Sequence, residues 1–118
     1  MKNILLVDDS TAIRNILKTS LFGDFRIFEA DNGQAAIDKA VETQMDFFLM
    51  DVNMPIMDGL TALKKIKAMP QYEKTPVVML TTETRDEKKN VAKDAGANGW
   101  IIKPCDPAKL LNVIKKLI

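Results

Sequence analysis

The chain has 118 residues, 47% hydrophobic and 28% charged, with 17 Lys and Arg set against 16 Asp and Glu. That length predicts a single domain over residues 1–118, with no room for a second output domain. The net charge of +1 argues against nucleic acid as a main partner, because phosphate binding needs a basic excess on one face. Histidine is absent and Cys105 is the single cysteine, which excludes histidine-based triads, histidine metal sites, a phosphohistidine on this chain and an internal disulfide. No apolar run approaches the roughly 18 residues of a membrane span. Met1-Lys2-Asn3 leads straight into a strand with no space for a signal peptide, so a cytoplasmic monomer without membrane insertion is expected.

Asn3 to Val7 reads as the first strand and runs directly into Asp8 and Asp9. Adjacent carboxylates repel each other unless a cation or strong donors compensate, so a positive partner from outside the chain is expected. A local alternative is capping, with Asp9 or Ser10 satisfying the first amides of the next helix. That helix shows Ile13, Ile16, Leu17 and Leu21 at i, i+3, i+4 and i+8. Phe25 to Ala30 forms the second strand, and Asn32 ahead of Gly33-Gln34 opens the second helix. Phe47 to Met50 is the third strand and ends in Asp51. Met54 and Met57 follow as gap-fillers or partner contacts, and Asp58-Gly59 supplies a cap and turn before the third helix.

Val77 to Leu80 is the fourth strand, followed by Thr81-Thr82. The helix after Thr84 starts with six polar residues, Arg85 to Asn90, leaving Val91, Ala92 and Ala95 as its only core contacts before Gly96 ends it. Little apolar area is buried there, so this is the segment expected to move most easily. Trp100 to Ile102 is the fifth strand, ending in Lys103-Pro104. Asp106-Pro107 caps and starts a last helix that carries Leu110, Ile114 and Leu117. Strands this continuously apolar are buried on both faces, which predicts an α/β fold: a parallel five-stranded sheet with helices on both sides.

Ligands of open parallel α/β sheets sit outside the carboxyl ends of the strands. Here those ends carry Asp8, Asp9, Asp51, Thr81, Thr82 and Lys103, so three carboxylates, hydroxyls and an ammonium converge on one edge. Oxygen ligands without His or Cys suit a hard cation, and a few carboxylates that leave room for water suit Mg²⁺. Such a metal would neutralise a phosphoryl group arriving at the third carboxylate.

The stretches LLVDDS, LMDVNMPIMDG, VVMLTTE and GWIIKP, in this order and spacing, resemble the response-regulator receiver domain of two-component signal transduction, nearest to its stand-alone chemotaxis members. The resemblance covers essentially the whole chain. It implies a flavodoxin-like (βα)5 fold with strand order 2-1-3-4-5. It also implies that Asp51 accepts a phosphoryl group from a partner histidine kinase as an aspartyl phosphate. Mg²⁺ would be held by the side chains of Asp9 and Asp51, by the backbone carbonyl of Asn53 and by Asp8 mainly through water. Thr81 and Lys103 would bind phosphoryl oxygens, and Asn53 and Glu83 would tune dephosphorylation. Glu83 could equally be a solvated helix-start carboxylate. Trp100 would be the aromatic switch coupled to Thr81. The face built by the fourth helix, fifth strand and fifth helix would be the output surface, with Lys88, Lys89, Lys93 and Lys109 attracting an acidic partner helix.

Three positions depart from the family's usual pattern. Thr82 stands where a small residue is common and narrows access, Trp100 where tyrosine or phenylalanine is usual, and Cys105 where phenylalanine is frequent, leaving a smaller partner contact. The implied function is a phosphorylation-controlled binding switch rather than a turnover enzyme. Its downstream target would be the flagellar motor switch of chemotaxis, with a phosphatase as a further partner, or it would shuttle phosphoryl groups to a histidine phosphotransfer protein. A haloacid-dehalogenase-like phosphatase is the competing enzyme reading, but it uses Asp-x-Asp after the first strand, whereas Asp8 and Asp9 are adjacent. A flavodoxin would need a Ser/Thr/Gly phosphate loop where VDDSTAIR is acidic. A degenerate receiver would lack part of the acid set or the lysine.

Overall fold

The computed structural model describes residues 1–118 as alternating strands and helices: β1 (Asn3–Val7), α1 (Thr11–Leu21), β2 (Arg26–Ala30), α2 (Gly33–Glu42), β3 (Phe47–Met50), α3 (Gly59–Lys67), β4 (Val77–Thr81), α4 (Asp86–Asp94), β5 (Gly99–Ile102) and α5 (Pro107–Leu117). A short 3₁₀ turn, Pro70–Tyr72, lies between α3 and β4. All strand pairs are parallel and the order is β2-β1-β3-β4-β5, as expected.

Side chains alternate across the sheet, so each central strand feeds two half-cores. Leu5, Val7, Phe48, Met50, Val77 and Met79 point toward α2, α3 and α4. Ile4, Leu6, Phe47, Leu49, Val78 and Leu80 point toward α1 and α5. Continuous burial holds for β3 and β4 throughout and for all of β1 except its first residue, whereas the edge strands β2 and β5 are half-exposed, with Ile102 41% accessible. An edge strand lacks one neighbour, so its apolar residues are only partly covered.

The predicted caps are present. Asn32 accepts the amide of Ala35, Asp58 that of Thr61 and Asp106 that of Ala108, each supplying an acceptor for an otherwise orphaned helical donor. In α1 the cap is Ser10, whose hydroxyl accepts the amide of Ile13. One α1 expectation fails: Ile16 is 59% exposed while Leu17 and Leu21 are buried. The α5 side of the helix takes the later two residues, and Ile16 is left at the rim of a groove.

Tyr72, which no sequence pattern singled out, is fully buried. Its hydroxyl donates to the carbonyl of Ala40 at 2.6 Å and accepts the amide of Met45 at 3.0 Å, and its ring meets Phe48 edge-on with centroids 5.1 Å apart. The turn after α3 is thereby pinned to the chain entering β3. Burial pushes the Tyr72 phenol above its ordinary range.

Candidate functional site

The central strands β1, β3 and β4 deliver Asp8, Asp51 and Thr81 to one end of the sheet, and all three residues are buried. Carboxylate oxygens of Asp8, Asp9 and Asp51 lie within 4.8 Å of one another, with Asp9 exposed. The acid pair at the end of β1 has a divided role. Asp8 Oδ1 accepts the amide of Ser10 at 2.8 Å, which shapes the turn into α1, and Ser10 provides the helix cap. The Asp9 carboxylate is left outside the cap and faces solvent.

The positive partner expected from outside the chain is in part supplied from within it. Lys103 Nζ, at the end of β5, lies 2.5 Å from Asp8 Oδ2 and 3.0 Å from Asp51 Oδ2, with only 12% of its side chain accessible. Burial alone would pull the ammonium pKa down. The hydrogen bonds that it donates to Asp8 and Asp51, with the charges of those carboxylates, outweigh burial and hold Lys103 above its ordinary value, so it remains charged. Three carboxylates against one ammonium leave two negative charges uncompensated. That deficit and an all-oxygen donor set fit a hard divalent cation. The peptide between Lys103 and Pro104 is cis.

Asp51 is held on its other side as well. Its Oδ1 accepts the amide of Val52 at 2.7 Å. Gly59, the first residue of α3, lies so close that a Cβ there would come within 1.9 Å of the Asp51 carbonyl oxygen, and its amide bonds the Val52 carbonyl at 2.8 Å. Gly59 is therefore required by close approach, a role beyond the cap-and-turn reading of the sequence. The intervening loop places Asn53 in solvent and holds Ile56, 83% exposed, at φ 69.

At the end of β4, Thr81 Oγ1 accepts the amide of Glu83 at 3.1 Å, which leaves the hydroxyl hydrogen available for donation. Glu83 is not a solvated carboxylate: its side chain is 8% accessible and pairs with Arg85. The Arg85 hydrogen bonds hold Glu83 far below the usual carboxylate range, at about 2. Thr82 is exposed and lines an apolar groove of about 360 Å³ with Ile13, Ile16, Leu17, Pro104 and Cys105, and Lys103 lies at its edge. Burial raises the Cys105 thiol pKa, so the cysteine is a small apolar wall of that groove.

Trp100 pairs with Met79 across β4 and β5 and packs on the same face as α4. It lines a second groove, about 330 Å³, with Lys89 and Lys93 among its walls. The structure thus gathers Trp100, Lys89 and Lys93. Lys88 is half-buried, Lys109 stands on α5, and neither lines this groove.

The family model of the response regulator receiver domain matches residues 4–115. Chemotaxis protein CheY-3 of Vibrio cholerae is 38% identical over 116 residues, covering 97% of this chain and 89% of that protein. The structure of the chemotaxis response regulator CheY4 of Vibrio cholerae superposes with a TM-score of 0.92 at 39% identity, covering 100% of this chain and 99% of that one. The receiver domain of a sensor histidine kinase from Pseudomonas aeruginosa, 26% identical with a TM-score of 0.89 over 98% of this chain and 96% of that one, has a magnesium ion coordinated in its active-site cleft. With its acids, hydroxyl and lysine gathered at one sheet end, the chain belongs to the response regulator receiver domains of two-component systems.

Proposed function

We propose that Asp51 is the phosphoacceptor of a Mg²⁺-dependent switch. The observation that carries this reading is the Lys103 ammonium, seated between Asp8 and Asp51 at the edge of a cluster of three carboxylates. Asp8, Asp9 and Asp51, with the backbone carbonyl of Asn53, would hold the metal. When bound, Mg²⁺ supplies charge neutralisation for the incoming phosphoryl group.

The Val52 amide fixes Asp51 Oδ1, so Oδ2, which faces the Lys103 ammonium, is the nucleophile. Its attack on phosphorus forms the P–O bond as the P–N bond to a kinase imidazole breaks, and the leaving nitrogen keeps the electron pair and takes up a proton. Lys103 then turns from Asp51 Oδ2 to a phosphoryl oxygen, and Thr81 donates its free hydrogen to another. Asn53 and Glu83 set the rate of water attack on the product. The protein handles its own phosphoryl group and turns over no external substrate.

Near-complete coverage of CheY-3 and CheY4 favours a cytoplasmic chemotaxis output, with a histidine kinase as donor and the flagellar motor switch as target. Lys89, Lys93 and Trp100 would meet that target, with Lys88 and Lys109 at its margin. The likeness to a histidine kinase's own receiver domain supports a relay shuttle as the second reading. Incubation with acetyl phosphate and Mg²⁺ should add one phosphoryl mass that hydroxylamine removes, and Asp51→Asn should lose it. Full labelling of Asp51→Asn would overturn the assignment.

A further inference from the structure

The link between Thr81 and α4 is built from a single local device. Glu83 donates its amide to Thr81 Oγ1 at 3.1 Å, and its carboxylate takes three donors from Arg85: Nη2 on Oε1 at 2.8 Å, Nε on Oε2 at 3.0 Å and the backbone amide on Oε2 at 3.2 Å. Side chains two residues apart do not face each other in a helix, so this fork exists only because residues 82–85 are looped. Arg85 is also the residue that precedes α4, and its carbonyl accepts the amides of Lys88 and Lys89. No side chain caps α4, in contrast to the other four α-helices. The Glu83 carboxylate holds the Arg85 amide instead, so the clip anchors both the loop and the helix start.

We propose that Arg85 is a positioning residue: its guanidinium locks Glu83 into a clip that keeps the loop from Thr81 to α4 in its phosphoryl-free arrangement and so sets how readily the site accepts a phosphoryl group. The inference rests on Asp51 being the phosphoacceptor. For Thr81 Oγ1 to reach a phosphoryl oxygen, the amide of Glu83 must follow or let go. Its carboxylate is tied to Arg85, and Arg85 to the first turn of α4, so movement at Thr81 draws on the whole clip. An interaction present in one state and weakened in the other shifts the equilibrium by its own free energy. Arg85 is 67% exposed and Glu83 nearly buried, so the fork is geometrically fixed but solvent-screened. The pair stays ionised throughout the neutral range, because Arg85 holds the Glu83 carboxyl at about 2.

The test is a titration with beryllofluoride and Mg²⁺, a mimic of the phosphoryl group, followed by the bound fluorine NMR signal. Arg85→Ala should bind about three- to fivefold more tightly than the wild type. Arg85→Lys, which keeps the charge but loses the fork, should behave like Arg85→Ala. In a Glu83→Gln background Arg85→Ala should have no further effect. If Arg85 acted only by attracting the anion, Arg85→Ala would bind more weakly and Arg85→Lys like the wild type, which would overturn the clip. Equal affinities in all variants, or additive effects of the Glu83 and Arg85 changes, would overturn it too. A wild type with no bound signal would overturn the phosphoacceptor reading itself, and the inference with it.

Discussion

Helices α3 and α4 have nine residues each and cover the same face of the sheet, yet they are attached in different ways. Helix α3 is capped by Asp58, buries Gly59, Leu60, Ala62, Leu63 and Ile66, and begins against the backbone of Asp51. Helix α4 has no side-chain cap and buries only Ala92, with Val91 and Ala95 partly covered. Burial of apolar area is the main anchor of a surface helix, so the two differ in the cost of local opening. The Asp51 end of the site is thus built on a fixed helix, and the Thr81 end leads to a loosely held one.

Matched truncations test this contrast most strongly. Leu63→Ala in α3 should destabilise the protein by about 2–5 kcal/mol, since Leu63 is fully buried. Val91→Ala in α4 should cost less than about 1.5 kcal/mol, because Val91 is only partly covered. Urea unfolding measures both, and equal losses would remove the distinction.

A smaller effect is expected just beyond α3. Tyr72→Phe leaves the Met45 amide and the Ala40 carbonyl without their partner and should cost about 1–3 kcal/mol. It should also change the alkaline limb. The folded Tyr72 phenol is raised by burial above its ordinary value of 10.0, so the folded state keeps a proton that the unfolded state gives up. Its contribution is fully present below that value and is lost as pH rises through the higher folded one. The wild type should therefore lose stability more steeply than Tyr72→Phe above about pH 10. Parallel curves would mean that burial does not act on this phenol.

The smallest effect should be a gain. Ile56, in the loop that leads to α3, is a β-branched residue at positive φ, a conformation that Asn tolerates better. Ile56→Asn should stabilise by about 1 kcal/mol, read as a higher urea midpoint. A loss would show that the exposed Ile56 side chain makes contacts that outweigh its backbone strain.

Much of this was legible in the sequence, for reasons that also mark the limits. The continuous apolar runs located the strands to within a residue or two, and the strand-end rule picked out Asp8, Asp9, Asp51, Thr81 and Lys103 as neighbours. The pairing of Lys103 with Asp8 spans 95 residues and depends on strand order, which local pattern does not contain. The tightness of Gly59 against Asp51 needs backbone coordinates. Arg85 looked like one charge in a polar helix start, because nothing in residue spacing signals a fork two residues long inside a loop. Ile16 fitted the helical period yet lies outside the core, since period assigns a face and the neighbouring helix decides how much of that face is covered.

If Asp51 is the phosphoacceptor, ligand at the site should be felt through α4 and leave α3 in place. Amide hydrogen exchange of the wild type, with and without beryllofluoride and Mg²⁺, tests it most directly. Free protein should exchange faster across residues 86–94 than across 59–67. Ligand should change protection from Thr82 through α4 and leave α3 as it was. Equal protection of the two helices in the free protein, or a ligand response confined to α3, would contradict the account.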